Sequence, residues 1–154
     1  RPLALLSGYG NSSDAHRLTA PDPSGRGAAA AIHAALGSFD AAEVGWVCAH
    51  ATGTPLNDSA EAEVLQRVLP AAAVAGIKGA VGHTLGAAGA LEAVVTAMAV
   101  ASGRLPPDSG PDDCAFAGLN LLRREERRPL RAAMTVNFAF GGHNTALLVT
   151  RWTP

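Results

Sequence analysis

Two cysteines in 154 residues, Cys48 and Cys114, are too few for a disulfide framework, and no metal-ligand spacing surrounds them. That count suits a reducing compartment, and the expected location is cytoplasmic. Charge is sparse as well. With 12 Lys and Arg against 13 Asp and Glu the net charge is −1, which gives no electrostatic case for nucleic acid or an anionic membrane. Lysine is the scarcest cation: Lys78 stands alone, and every other positive side chain is an arginine. No methionine precedes Arg1, and no charged, apolar and small-residue succession marks a secretion signal. The expectation is a processed or excised piece. Internal repeats are missing too. What remains is 48% hydrophobic residues, mostly alanine, which pack close layers of helix and sheet and make one domain, or half of a two-lobed one.

The lone lysine opens the most informative stretch, Lys78-Gly79-Ala80-Val81-Gly82-His83, which runs into Thr84-Leu85-Gly86-Ala87-Ala88-Gly89. The segment Thr84–Ala101 is too long for a strand and reads as a helix. Its only charge is Glu92, so it is expected to be buried on nearly all sides. Its length tempts a membrane-spanning reading, which Glu92, the glycines and the low hydropathy of alanine oppose. Lys78 and His83 are expected at the N-terminal end of this helix, where backbone N–H groups attract anions and disfavour a protonated imidazole. A neutral histidine there donates to a carbonyl. An ammonium is a compact charge with an adjustable pKa, unlike the guanidinium fork. A surface lysine at a strand end is the plainer alternative.

Taken in order, Leu3–Ser7 reads as a strand that ends in a turn at Gly8-Tyr9-Gly10-Asn11. Residues 11–23 form a long polar loop of the kind that binds ligands. A helix over Gly27–Leu36 and a buried strand over Val44–Ala49 follow, and the strand delivers His50 at its end. Asp58 is the expected N-cap of the next helix, with Glu61 completing a capping-box pattern. Val74–Ile77 is a strand, Pro106-Pro107 a breaker, and Arg123–Arg131 a charged exposed run. Ala133–Asn137 and Thr145–Arg151 read as strands around Phe138-Ala139-Phe140-Gly141-Gly142-His143-Asn144. The succession implies an α/β fold with a mixed sheet whose last pair is antiparallel.

Ligands of open α/β sheets gather beyond the carboxyl ends of strands. Three such ends carry unusual polar sequence, and each has an ordinary structural reading as a hydrogen-bonded histidine or a tight glycine turn. Together, H-A-T-G-T-P-L-N-D-S-A-E, K-G-A-V-G-H-T-L-G-A-A-G and N-F-A-F-G-G-H-N resemble the three C-terminal motifs of the β-ketoacyl-ACP synthases, in family order. The likeness covers residues 1–154 as a C-terminal domain. It implies a thiolase-like fold, C-terminal half, with a mixed five-stranded sheet and a buried central helix.

The resemblance further implies that His50 and His83 bind the malonyl thioester carbonyl and assist decarboxylation, with Lys78 holding the histidine end in order. Glu61 matches an acidic residue behind the site. Thr52 and Thr54 match hydroxyls that bind a phosphopantetheine arm, Phe140 a gate with Phe138 beside it, and Gly141-Gly142 a turn at the oxyanion side. No resident cofactor and no metal are implied, since phosphopantetheine belongs to the acyl carrier protein. The family's nucleophilic cysteine heads a helix of an N-terminal half that this chain does not contain. Cys48 and Cys114 are read as structural, and an N-terminal half on another polypeptide or fragment, in a dimeric assembly, is the expected partner. Ala51, Ala139 and His143 depart from glycine, glycine and threonine; His143 is either a third pocket imidazole or a turn residue. Fatty-acid and polyketide pathways both stay open. The competing reading is a non-catalytic partner half resembling chain-length factors. A metal-binding module through His50, His83 and Cys48 is a third, without supporting spacing.

Overall fold

The computed structural model describes residues 2–112, 116 and 118–153. Cys114 lies outside them. The first strand, β1 (Ala4–Ser13), runs straight through the expected turn at Gly8-Tyr9-Gly10-Asn11, with a bulge between Leu6 and Gly8. Its glycines serve a close approach instead. The first helix, α1 (Arg26–Leu36), lies so near that a Cβ on Gly8 would stand 1.9 Å from the Ala35 carbonyl oxygen, and one on Gly10 would stand 1.9 Å from that of Ala31. Gly10→Ala should therefore cost about 1–3 kcal/mol, the range for forcing atoms into a packed interior. The check is a lower urea midpoint at unchanged m-value; an unmoved midpoint would mean that α1 does not rest on this strand.

A 3₁₀ turn at Ala41–Glu43 leads into β2 (Val44–Cys48). Next come α2 (Pro55–Val68), β3 (Ala73–Ala75), the single-turn α3 (Lys78–Val81) and α4 (Ala88–Ser102). Asp58 is not the cap of α2. Thr54 precedes Pro55 at the helix start, which puts Asp58 inside the first turn. Proline at the first helical position needs no N–H partner and presets φ, so the helix begins four residues early. A two-stranded ribbon, β4 (Arg104–Leu105) with β5 (Glu126–Arg127), gives the charged run a short exposed strand. The chain closes with the hairpin β6 (Ala132–Ala139) and β7 (His143–Arg151).

The main sheet has the order β1-β7-β6-β2-β3. β6, β2 and β3 are parallel, while β7 runs antiparallel to both its neighbours. One face packs on α1 and α2 through Ile32, Val64, Leu65, Met134 and Leu148. The other packs on α4 through Trp46, Ala99, Val100, Leu130 and Val149.

The long apolar segment is not one helix. A 3₁₀ turn at Leu85–Ala87 precedes α4. Nor is it buried on all sides. Glu92 and Thr96 face inward, whereas Leu91, Val94 and Met98 stand 41%, 57% and 57% exposed. By length and composition Leu85–Ser102 is apolar enough to cross a membrane. Here it lies along the sheet with its carboxylate paired, in the position of a core helix.

Candidate active site

The parallel strands β2, β3 and β6 end on the same side of the sheet, and each hands its next residues to one cluster. Beyond β2, the segment Ala49–Thr54 carries His50 inward. Beyond β3, α3 starts on Lys78, and β6 itself places Asn137 and Phe138.

His50 and Lys78 are both buried. Lys78 Nζ lies against the His50 carbonyl oxygen, Glu92 Oε1 and, at 3.2 Å, His50 Nδ1. Asn137 Oδ1 stands 3.2 Å from the same ring nitrogen, and Asn137 Nδ2 donates to Glu92 Oε2 at 2.7 Å. Four side chains thus close a ring: imidazole, ammonium, carboxylate and amide. Burial lowers the His50 pKa to about 4, and the Lys78 ammonium acts in the same direction, so the imidazole is neutral at pH 7.

Glu61 reaches the site from α2 as an anchor rather than as part of a capping box. Its Oε1 and Oε2 accept the backbone N–H groups of His50 and Ala51 at 2.7 and 2.8 Å. Ala51 has φ +40°, left-handed backbone that favours glycine, so these two bonds hold a strained turn. Burial pushes the Glu61 carboxyl up to about 7 against the pull of those donors. Cys48 sits beneath, buried and free, and burial pushes its thiol well up, which leaves it no thiolate at neutral pH.

His83 is exposed between α3 and the 3₁₀ turn. The helix it was expected to head begins at Ala88. The Leu85 N–H donates to its Nδ1 at 3.3 Å, which leaves the ring proton on Nε2. The His50 and His83 rings meet edge to face with centroids 5.7 Å apart, and Phe138 contacts His50 at 6.1 Å. Both imidazoles open into a cavity of about 760 Å³. Thr52 and Thr54, hydroxyls 3.0 Å apart, form part of its wall. Phe140, 76% exposed, stands at the rim. A smaller cavity of about 260 Å³ lies behind the His50 segment, between α2 and Asp108.

Gly141 and Gly142 close the β6–β7 hairpin at φ +83° and +74°. The turn is tied to the loop after β1: Asp14 N–H donates to Gly142 O at 2.8 Å and Gly141 N–H to Leu18 O at 2.6 Å. Asn144 Nδ2 adds a bond to Asp14 Oδ1 at 2.7 Å. The polar loop predicted to bind ligands does line the large cavity, with Leu18 and Pro21. His143 does not; it is exposed and pairs with Ala139 and Ser13. Among the described residues no cluster of three His, Cys, Asp or Glu is placed to hold a metal ion.

Two members of the ring escaped sequence reasoning. Glu92 had a signal: one carboxylate in an apolar helix requires a buried partner, and the only lysine was at hand. Asn137 opens the N-F-A-F-G-G-H-N motif, but nothing local shows that it bonds to His50, 87 residues away.

Residues 3–110 match the family model for the β-ketoacyl synthase C-terminal domain. The chain is 38% identical over 94% of its length to the mitochondrial 3-oxoacyl-[acyl-carrier-protein] synthase of Arabidopsis thaliana, and 35% identical over 96% to 3-oxoacyl-[acyl-carrier-protein] synthase 2 of Vibrio cholerae. A solved structure of the ketosynthase ApeO in complex with its chain length factor ApeC, from Xenorhabdus doucetiae, superposes with TM-score 0.89 at 37% identity, over 99% of this chain and 40% of that one. The chain therefore belongs to the β-ketoacyl synthase family, as its C-terminal domain, with the thiolase-like fold. It spans 34% and 38% of the two curated relatives.

Proposed function

We propose that this chain supplies the imidazole half of a 3-oxoacyl-ACP synthase, which condenses an acyl group with malonyl-ACP and releases CO₂. The observation that carries this reading is the pair of imidazoles, ring centroids 5.7 Å apart, at the mouth of one cavity with Lys78 clamped behind the first. His83 presents Nε2–H, and His50 presents Nε2–H whenever Lys78 donates to its Nδ1. Two N–H donors on one thioester carbonyl oxygen stabilise the enolate left when the malonyl C–C bond breaks and CO₂ departs. The enolate carbon then attacks an acyl thioester, forming the new C–C bond and releasing the thiolate that carried the acyl group. That thiolate is assigned to a partner half, since Cys48 is buried and its thiol is held protonated.

Thr52 and Thr54 are assigned to the phosphopantetheine arm of the carrier protein, which is part of the substrate; no resident cofactor is needed. Gly142, with Gly141 beside it, is assigned to the turn at the oxyanion side of the cavity and Phe140 to its entrance. The exposed apolar face of α4, with Leu91, Val94 and Met98, supports a partner half packed against it. A free buried thiol fits a reducing compartment such as the cytosol.

In the native assembly, His50→Ala and His83→Ala should each lower malonyl-ACP decarboxylation about 10²–10³-fold, the usual loss for one oxyanion donor. Product CO₂ is the readout. Decarboxylation untouched by both substitutions would instead favour a non-catalytic half of the chain-length-factor kind.

A further inference from the structure

His50 Nδ1 faces two groups with opposite demands. Lys78 Nζ, 3.2 Å away, can only donate to it. Asn137 Oδ1, also 3.2 Å away, can only accept from it. One ring nitrogen cannot serve both at once. The amide cannot escape by flipping, because Nδ2 already donates to Glu92 Oε2 at 2.7 Å, and a flip would set oxygen against carboxylate. The ammonium is similarly pinned between Glu92 and the His50 carbonyl. Phe138 lies against the imidazole, and Glu61 holds the His50 backbone N–H, so the segment that carries the ring is anchored.

We propose that Asn137 is a positioning residue that competes with Lys78 for His50 Nδ1, so that the neutral ring holds two tautomers of similar free energy. In one, Lys78 donates to Nδ1, the ring proton is on Nε2, and the Asn137 oxygen lacks a donor. In the other, Nδ1–H donates to Asn137, Nε2 is bare, and the third ammonium proton lacks an acceptor. A charge-assisted bond is ordinarily the stronger and settles near 2.7–2.9 Å. Here Lys78 has spent its close approach on Glu92 and the carbonyl, and its contact with the ring is as long as that of the amide.

Under the condensation reading, on which this consequence rests, Nε2–H donates to the thioester carbonyl in the first tautomer and has no proton to donate in the second, so the balance sets the fraction of rings that can stabilise the enolate. The tautomer balance itself does not depend on that reading.

The test uses the native assembly labelled with ¹⁵N-histidine, with His50 signals assigned by their loss in His50→Ala. Wild-type Nδ1 should resonate between the bare and protonated limits at pH 7. Asn137→Ala should move it to the bare limit, and Asn137→Asp, which offers a stronger acceptor, to the protonated limit. A purely structural role would not drive two opposite shifts. A wild-type Nδ1 already at either limit, or unmoved in Asn137→Ala, overturns the proposal; if Asn137→Asp fails to fold, Asn137→Ala alone decides. Malonyl-ACP decarboxylation is assayed on the same samples. Shifts as expected with no wild-type decarboxylation would remove the condensation reading and leave the tautomer pair standing, whereas decarboxylation without the shifts would do the reverse.

Discussion

Lys78→Met should destabilise the protein by about 3–5 kcal/mol, the cost of leaving a buried carboxylate without its counter-charge. The Lys78 and Glu92 side chains are 5% and 1% exposed, so water cannot take over the role of the ammonium. Methionine matches the length of the lysine stem, which confines the change to charge and hydrogen bonding. The His50 carbonyl loses its donor in the same step. Removing both partners is a different matter. Lys78→Met with Glu92→Gln leaves no isolated charge, and should recover more than half of the loss, since a buried pair is strongly damaging to break but of little net value to keep. Urea titrations of the four proteins form a double-mutant cycle. A single substitution costing under about 1 kcal/mol would show that water reaches Glu92 and that the pair is not sealed.

Glu61→Gln should make the protein acid-labile between pH 6.5 and 4, although the parent is nearly insensitive there. The reason is a cancellation. His50 has its pKa lowered from 6.5 to about 4 on folding, so its contribution is full above 6.5 and is lost as pH falls through 4. Glu61 has its pKa raised from 4.5 to about 7, so its contribution is full below 4.5 and is lost as pH rises through 7. Each shift corresponds to about 3 kcal/mol, and in the overlapping window the two slopes have opposite signs. Glutamine cannot titrate, which leaves the histidine slope uncovered. His50→Ala should expose the reverse, with stability rising as pH falls from 7 to 4.5. Urea midpoints across pH 4–8 give both slopes. Parallel profiles for parent and Glu61→Gln would mean that Glu61 stays ionised throughout, held by its two backbone donors.

The strand ends could be read from sequence because chemistry-bearing residues follow apolar runs directly: V-G-W-V-C-A delivers His50, and A-V-A-G-I delivers Lys78. The sheet order and the helix count were not so open. Gly8 and Gly10 look like turn residues in one dimension, and only the helix lying across them explains their lack of side chains. Asp58 and Glu61 have capping-box spacing, yet Pro55 starts the helix earlier and frees Glu61 to anchor the His50 turn. The burial of α4 was overestimated because composition reports how apolar a helix is but not whether its cover lies on the same chain. The parts of the site that link distant segments, Asn137 to His50 and Asp14 to the Gly142 turn, leave no local pattern.

The pairing of β1 with β7, Ala4 opposite Arg151, has a kinetic side. Among the described residues β1 pairs with β7 alone, so its backbone groups stay unpaired while on the order of 10 s of synthesis pass. Contacts that close such long loops form late and slowly. The Lys78–Glu92 pair spans 14 residues and can form early, whereas the His50–Asn137 contact waits for the hairpin that also brings β7. The imidazole clamp is therefore among the last features to assemble, on a Lys78–Glu92 pair that is already in place.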